Sequence, residues 1–388
     1  QTQAISDVEA QGVALLDGQQ RLIRDLERAG KLDRVIEGLP NDEEIAVRNT
    51  AGKGLTRPEL AILLAYSKTT LYDELLHSDL PEDPGVHSDL PRYFPTLLSQ
   101  RFVDAMERHR LRREILATMV TNSLINRTGP TFVNDLRGDT GRTGADIARA
   151  YTIVRDAFGL RNFWQEIEGL DGKITAAVQS SLRRATQKVM EEVTRWLLSQ
   201  ADTSSVAAGT QKLSKVVEAL TGQLDQVLEP SVQRDRQARV KKLREQKVPD
   251  ALAQRITDLP LIAEICLLSD IANHTRQPIA EVARVWFDLS ARLKWADLRT
   301  MVLPQNATPM QKTAFKALTD DLAAVQRQLI AAVLQETPDR SVKGYLEKHA
   351  GAAAAYDQVA SDLKSAPGDL APLAVGVRRL RALLGDKL

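Results

Sequence analysis

The stretch TRPELAILLAYSKTTLYDELL, residues 56–76, restricts the fold more than any other part of the chain. Thr56 stands where an N-cap belongs, Pro58 falls in the first turn, and Glu59 lies three residues beyond the cap, which is the pattern of a capping box. Leu60 to Tyr66 follow without a polar residue, so the first two turns are apolar around the whole circumference. Only after Ser67 does the pattern turn amphipathic, with Leu71, Leu75 and Leu76 on one side. In water such a helix has to be surrounded by others. It reads as the central post of a helical module, with Leu60, Leu63, Leu64 and Leu71 among its most buried residues. Arg57, Glu59 and Lys68 bracket the run far short of the roughly 20 residues a membrane span needs.

Helical spacing continues on both sides. Val8, Val13, Leu15, Leu16, Leu22, Ile23 and Leu26 predict a helix over residues 3–29 that Gly30 stops. Short helices are predicted over residues 32–37 and after Asp42. Pro81, Pro84, Gly85, Pro91 and Pro95 mark a long loop, and a long helix over residues 96–126 follows until Gly129-Pro130 breaks it. Thr143 and Asp146 cap a helix ending near Gly159, residues 173–200 and 206–228 read as two further long helices, and Pro230, Pro249 and Pro260 punctuate shorter ones beyond. No stretch alternates at period two for five residues between turn signals, and aromatic residues are only 4%. The predicted class is therefore all-α: a multi-helix array or bundle of two related helical modules with no substantial sheet. At 388 residues the chain exceeds the roughly 250–300 that one core serves. The expected division is 1–53, 54–200 and 201–388, the first segment being N-terminal helices.

The two modules are tied by an internal similarity. TFVNDLRGDTGRTGADIARAY (131–151) lies over CLLSDIANHTRQPIAEVARVW (266–286) without a gap, in a register that sets Ala145 over Ala280. Asp135, Thr140, Ala145, Ala148 and Arg149 match Asp270, Thr275, Ala280, Ala283 and Arg284, while Ile147/Val282, Tyr151/Trp286 and Phe163/Leu298 agree in type. Two related helix–turn–helix units, or a chance likeness of amphipathic helices, both fit this pattern.

Few constellations carry chemistry. Gly138, Gly141 and Gly144 stand before a helix N-terminus, where a phosphate could sit, but the spacing is wrong for a dinucleotide fingerprint and no strand precedes them. A capped turn is the plainer reading. A Walker motif would need glycine where Val47 and Ile167 stand. The five histidines (77, 87, 109, 274 and 349) are scattered, so no metal is predicted, and no elbow motif supports a nucleophile. The formal charge of +1 gives no global field for nucleic acid or membrane, and the basic run 234–247 has no aromatic residue to stack on a base. It reads as a solvated helix or one meeting an acidic surface. The single cysteine, Cys266, sits in an apolar run as a buried thiol, which fits a reducing cytoplasm. Asn122 and Asn126 lie one helical turn apart beside Leu124 and Ile125; they contact a ligand, or they satisfy backbone groups where Gly129-Pro130 turns the chain. The chain opens on Gln1 rather than methionine and reads as a segment of a longer protein.

GLTRPELAILLAYSK (54–68), YFP (93–95), HRLRREILAT (109–118), NRTGPTF (126–132) and ADIARAY (145–151), in this order, resemble the C-terminal region of the large bacterial NAD-specific glutamate dehydrogenases. The likeness is strong to about Leu198 and looser through EVARVWFDL (281–289) to the end. It implies a parent enzyme that oxidatively deaminates L-glutamate to 2-oxoglutarate and ammonium with NAD, in a chain whose catalytic region lies upstream and is linked to this segment by the helices of residues 1–53. None of the motifs for glutamate or nicotinamide chemistry is present, and Lys53, between Gly52 and Gly54, has no surroundings that match a catalytic lysine. No catalytic, cofactor-binding or metal residue is therefore assigned, and NAD is expected only in the parent. The expected role is bracing of the catalytic region or interdomain, intersubunit or regulatory contact within a homo-oligomer, with no nucleic acid and no membrane as partner. Arginine-rich faces at Arg108–Arg113 and Arg378–Arg381 are candidates for docking or are simply solvated. Two alternatives stand beside this role. Arg110, Arg113, Asn122 or Asn126 reaches the parent active site, or the chain is a free-standing helical protein-binding module.

Overall fold

The computed structural model describes residues 2–200, 205–295, 298, 308–362 and 370–385; Gln1 and the start of the segment expected at 201 lie outside them. Every regular element among the described residues is a helix. The chain forms two compact units, one of Gln1–Val217 with Gln246–Ala263 and one of Glu218–Glu245 with Glu264–Leu388. Segments 1–53 and 54–200 thus fall in the first unit, and 201–388 is divided between the two.

In the first unit, α1 (Thr2–Glu9), α2 (Leu16–Arg28) and α3 (Asp42–Thr50) precede the post, α4 (Arg57–Leu76). The predicted helix over 3–29 is interrupted because Gly12 adopts a left-handed φ of 54°, and a 3-10 turn at Gly12–Leu15 redirects the chain. Residues 32–37 form a turn rather than a helix. The Asp33 carboxylate accepts from Val35 N at 2.9 Å and Ile36 N at 3.2 Å, which offers that backbone an alternative to helical pairing. Val8, Leu16, Leu22, Ile23 and Leu26 share one core with Ile45, Leu55, Leu60 and Leu63, so the N-terminal helices pack directly on α4.

The start of α4 is held as its sequence requires. Glu59 Oε2 accepts from Thr56 N at 2.6 Å, completing the capping box, while the same carboxylate takes Arg48 through Nη1 at 2.7 Å and Nη2 at 2.9 Å. Burial alone would raise the Glu59 pKa, but these donors outweigh it and hold the carboxyl below its usual range. Leu60, Leu63, Leu64 and Leu71 are at most 1% exposed, as expected, each burial contributing about 2 kcal/mol. The post is not wrapped on every side, however: Ala65 is exposed and Ala61 and Ile62 are only half-buried. On the buried side, the Ser67 hydroxyl lies within hydrogen-bond distance of both Leu63 O and Pro130 O.

Beyond it come 3-10 turns at Leu80–Glu82 and Pro84–Tyr93, then α5 (Thr96–Arg101), α6 (Val103–Glu107) and α7 (Arg112–Thr128). The single helix predicted over 96–126 is therefore three. Its first half leaves Leu97, Leu98, Phe102, Val103 and Leu111 exposed, so no core holds it straight, and Arg113 is drawn instead to Leu76 O at 2.9 Å and to Ser78 O. α8 (Phe132–Thr140), α9 (Gly144–Ala157), α10 (Leu160–Glu168) and α11 (Ala176–Ser199) complete this part of the unit, with α4 against α7 and α9, and α11 against α7, α8, α9 and α10.

Further on lie α12 (Val206–Val227), α13 (Pro230–Glu245) and α14 (Asp250–Cys266), which runs through Pro260 where a break was expected. The second unit contains α15 (Ser269–Thr275), α16 (Ile279–Arg292), α17 (Pro309–Glu336), α18 (Val342–Lys348), α19 (Ala350–Asp362) and α20 (Leu370–Ala382). Its largely aliphatic core includes four large aromatic residues that are almost fully buried, Trp286, Trp295, Tyr345 and Tyr356. Trp286 and Trp295 meet edge to face at 6.0 Å, Tyr356 Oη donates to Leu293 O at 2.5 Å, and Tyr345 Oη to Leu383 O at 2.8 Å.

The internal similarity is a structural repeat. In the register that sets Ala145 over Ala280, the end of α8 at Thr140 falls on the end of α15 at Thr275, and both limits of α9 fall on those of α16. The left-handed residues coincide as well: Gly141 (φ 68°) with Arg276 (φ 55°), and Gly159 (φ 59°) with Lys294 (φ 49°).

Candidate functional site

The glycine turn closes as a cap. Gly141 ends α8, Thr143 Oγ1 accepts from Asp146 N, and the first backbone N–H of α9, at Gly144, donates to Glu74 Oε2 at 3.1 Å. Glu74 is also held by Arg137 Nη2, 2.7 Å from each carboxylate oxygen. A carboxylate of the chain itself thus occupies the anion position at this helix N-terminus. A β-carbon at residue 144 would collide with it, so glycine serves close packing there rather than phosphate recognition.

The other constellations separate in space. Arg234, Arg239, Lys241, Lys242, Arg244 and Lys247 are exposed around α13, which buries only Val240 and Leu243. The Cys266 side chain is fully buried, and burial pushes its thiol up to about 12, so the nucleophilic thiolate is suppressed. Among the described residues, no group of three or more His, Cys, Asp or Glu is placed to hold a metal ion. Of the four residues considered for an active-site contribution, Arg110 is exposed and Arg113 fastens the chain at 76–82 through Leu76 O, Ser78 O and Glu82. Asn122 and Asn126 share a cavity.

That cavity has a volume of about 390 Å³. Its floor is formed by Ala4, Val8, Gly129, Trp164 and Thr186; Arg92, Gln165, Glu168 and Arg184 stand exposed at its rim. The asparagines do not satisfy the backbone of the Gly129-Pro130 turn. Ser67 Oγ takes Pro130 O at 2.9 Å and Gln187 Nε2 takes Thr128 O at 3.2 Å, leaving Asn126 Oδ1 buried without a hydrogen-bond partner in the protein. Arg183 forks onto Asp7 through Nε at 2.7 Å and Nη2 at 2.9 Å, while its Nη1 is buried and equally unpartnered. Arg127 pairs with Glu168 at 2.7 Å and stacks over the Trp164 ring at 4.7 Å, which fixes its guanidinium at the wall.

Behind this wall lies a buried charge network on α9 and α10. Arg155 is fully buried, 3.0 Å from Asp89 Oδ2 in an ion pair that is not aligned as a hydrogen bond, and it forks onto Asp156 at 2.7 and 2.8 Å. Arg161 binds the same two carboxylates. Burial would lower the Arg155 pKa, but the Asp156 bond and the Asp89 charge outweigh it, so the guanidinium stays charged. Two arginines and two aspartates balance, and the network holds Arg161 at the cavity without adding net charge. No sequence pattern announces it, because Asp89 lies far before Arg155 along the chain, in a loop read only as proline-rich.

Fold and site define an all-helical protein built on a repeated helix–turn–helix, with an arginine-lined cavity beside the first copy and no strand among the described residues to carry a dinucleotide. The family described as "Glutamate dehydrogenase, C-terminal" matches residues 52–382, and the chain belongs to that family. It is 36% identical over 99% of its length to the NAD-specific glutamate dehydrogenase of Pseudomonas aeruginosa, and 33% identical over 98% to that of Halomonas elongata. A third relative, the enzyme of the same name from Mycobacterium tuberculosis, is 31% identical over 91% of the chain. The chain spans about a quarter of their length, 24% of the first two and 22% of the third.

Proposed function

We propose that this chain is the non-catalytic, C-terminal helical part of an NAD-dependent glutamate dehydrogenase, bracing the catalytic region and supplying interdomain or intersubunit contacts. The observation that carries this reading is the pairing of nearly full-length similarity to a quarter of these enzymes with a wholly helical architecture among the described residues. Hydride transfer to NAD in such enzymes needs a nucleotide cradle, commonly a doubly wound sheet, which a helical array does not provide. Docking is supported by the apolar side chains exposed along one short segment, Tyr93, Leu97, Leu98, Phe102, Val103 and Leu111, and by Val35, Ile36 and Val47. A reducing cytoplasmic location is supported by the buried, inert Cys266 thiol. No helix among the described residues is long and apolar enough to cross a membrane.

The test is truncation of the Pseudomonas aeruginosa relative before its matching segment. Glutamate-dependent NAD reduction, together with the oligomer mass, should fall sharply in the truncated enzyme. An unimpaired truncated enzyme with unchanged mass would sink the reading.

A further inference from the structure

Two exposed apolar surfaces of the first unit carry opposite charge and are anchored at opposite ends of its central post. The first is the segment of α5 and α6. Of residues 92–111 only Met106 is buried, and Tyr93, Leu97, Leu98, Phe102, Val103 and Leu111 are 44–74% exposed. α5 and α6 pack on each other and on the turn Pro84–Tyr93, and Phe94 meets His109 edge to face at 5.7 Å, so the segment folds back on itself as one surface. It is basic: four arginines stand against Asp104 and Glu107, and Glu107 is already held by Arg112 at 3.3 Å. The second surface is the turn after α2 together with α3, where Val35, Ile36 and Val47 are 86%, 81% and 69% exposed. Residues 33–50 carry five acids against Arg34 and Arg48, both already paired, Arg34 with Glu27 and Asp42 and Arg48 with Glu59. Glu43 and Glu44 stand four and three residues before Val47 and therefore share its exposed helix face. Arg48 ties α3 to Glu59 in the first turn of α4, whereas Arg113 ties the start of α7 to Leu76 O at its last residue. The 20 residues of α4 span about 30 Å. Each surface stays exposed in the single chain, which presents both halves of a contact without closing it.

We propose, resting on the intersubunit role above, that a second copy of the chain covers these surfaces, the basic α5–α6 segment of one copy meeting the acidic turn and α3 of the next. The contact is head to tail. Pairing the basic segment with itself across a two-fold axis would bring its arginines together, which costs free energy, whereas basic on acidic is favourable and fixes the register. The apolar side chains supply the affinity. Those of the basic segment present several hundred square ångströms, the scale at which an exposed patch marks a contact between proteins. After one pairing each copy keeps its other surface free, so the contact propagates into a ring or a longer array.

The experiment is analytical ultracentrifugation of the whole 388-residue chain at concentrations up to about 0.1 mM. Neither NAD nor turnover is involved, so failure here is distinct from failure of the non-catalytic role proposed above. The mass should rise with concentration from one chain to two and beyond. Leu97→Asp on the basic surface and Val47→Lys on the acidic one place the repelling charge at exposed positions, and each should weaken association at least ten-fold with an unchanged circular dichroism spectrum. Mixed in equal amounts, the two variants should form a two-chain species at a concentration where neither associates alone, because each supplies the surface the other has lost. A single-chain mass at every concentration would overturn the proposal and leave both surfaces to a different partner. Association indifferent to either substitution would overturn it as well. So would a loss with Leu97→Asp that mixing does not restore, which is the signature of the basic segment pairing with itself.

Discussion

The two copies of the helix–turn–helix share a backbone and differ in what fills it. In the first, α9 carries Arg155 and Asp156 into a buried ion network. The equivalent positions of α16 are Ser290 and Ala291, and the aromatic residue that closes the second copy, Trp286, packs on Trp295 rather than beside a charge. At the position of Trp286 the first copy has Tyr151, whose hydroxyl lies 2.9 Å from Ser123 Oγ at the edge of the cavity. Matching limits of α9 and α16 with divergent interiors teach that the repeat specifies a scaffold, and that the buried Arg155–Asp156 pairing belongs to the first copy. The cavity adjoins that copy.

If the scaffolds are equivalent, their central aromatics should matter equally. Tyr151→Ala and Trp286→Ala are each expected to cost about 3–5 kcal/mol in urea unfolding followed by circular dichroism; a large loss in only one would break the equivalence. The interiors should then respond differently. Arg155→Met leaves Asp89 with Arg161 alone in a buried site and is expected to cost about 3 kcal/mol, whereas Ser290→Ala, which removes a buried hydroxyl without a partner, should change stability by less than about 0.5 kcal/mol.

The left-handed caps sharpen the point. Gly141→Ala should cost about 1 kcal/mol, while Arg276→Gly at the same position of the second copy should stabilise by up to about 1 kcal/mol, since a side chain is held there at positive φ. Unfolding midpoints moving in the same direction would show that the two turns differ.

The smallest expected effect is electrostatic and lies beside the first copy. Burial pushes the Glu191 carboxyl above its usual value of 4.5, with Gln187 and Arg195 opposing more weakly. The folded state therefore binds that proton more tightly than the unfolded state, so stability declines as pH rises through and above this value. Glu191→Gln, which still accepts from Gln187, is expected to raise the unfolding midpoint at about pH 8 and to leave it unchanged at about pH 4. A lower midpoint at about pH 8 would mean that Arg195 outweighs the burial.

Much of the scaffold is visible in the sequence because it rests on local rules. The capping patterns at Thr56 and Thr143, the apolar post and the constant register between the two repeats all depend on neighbouring residues or regular spacing. The misreadings fall where the local signal did not decide: Arg113 is pulled onto the chain at 76–82, and α14 continues through Pro260. The cavity was half visible. The spacing of Asn122 and Asn126 put two amides on one helical face, but Asp7, Arg161 and Arg183 come from three other helices, and no periodicity joins them.

The division between a helical scaffold and chemistry performed elsewhere is tested most directly by titrating NAD into the 388-residue chain and then following NADH formation on addition of L-glutamate. A non-catalytic role predicts neither saturable NAD binding nor NADH formation. Saturable binding followed by glutamate-dependent reduction of NAD would contradict it.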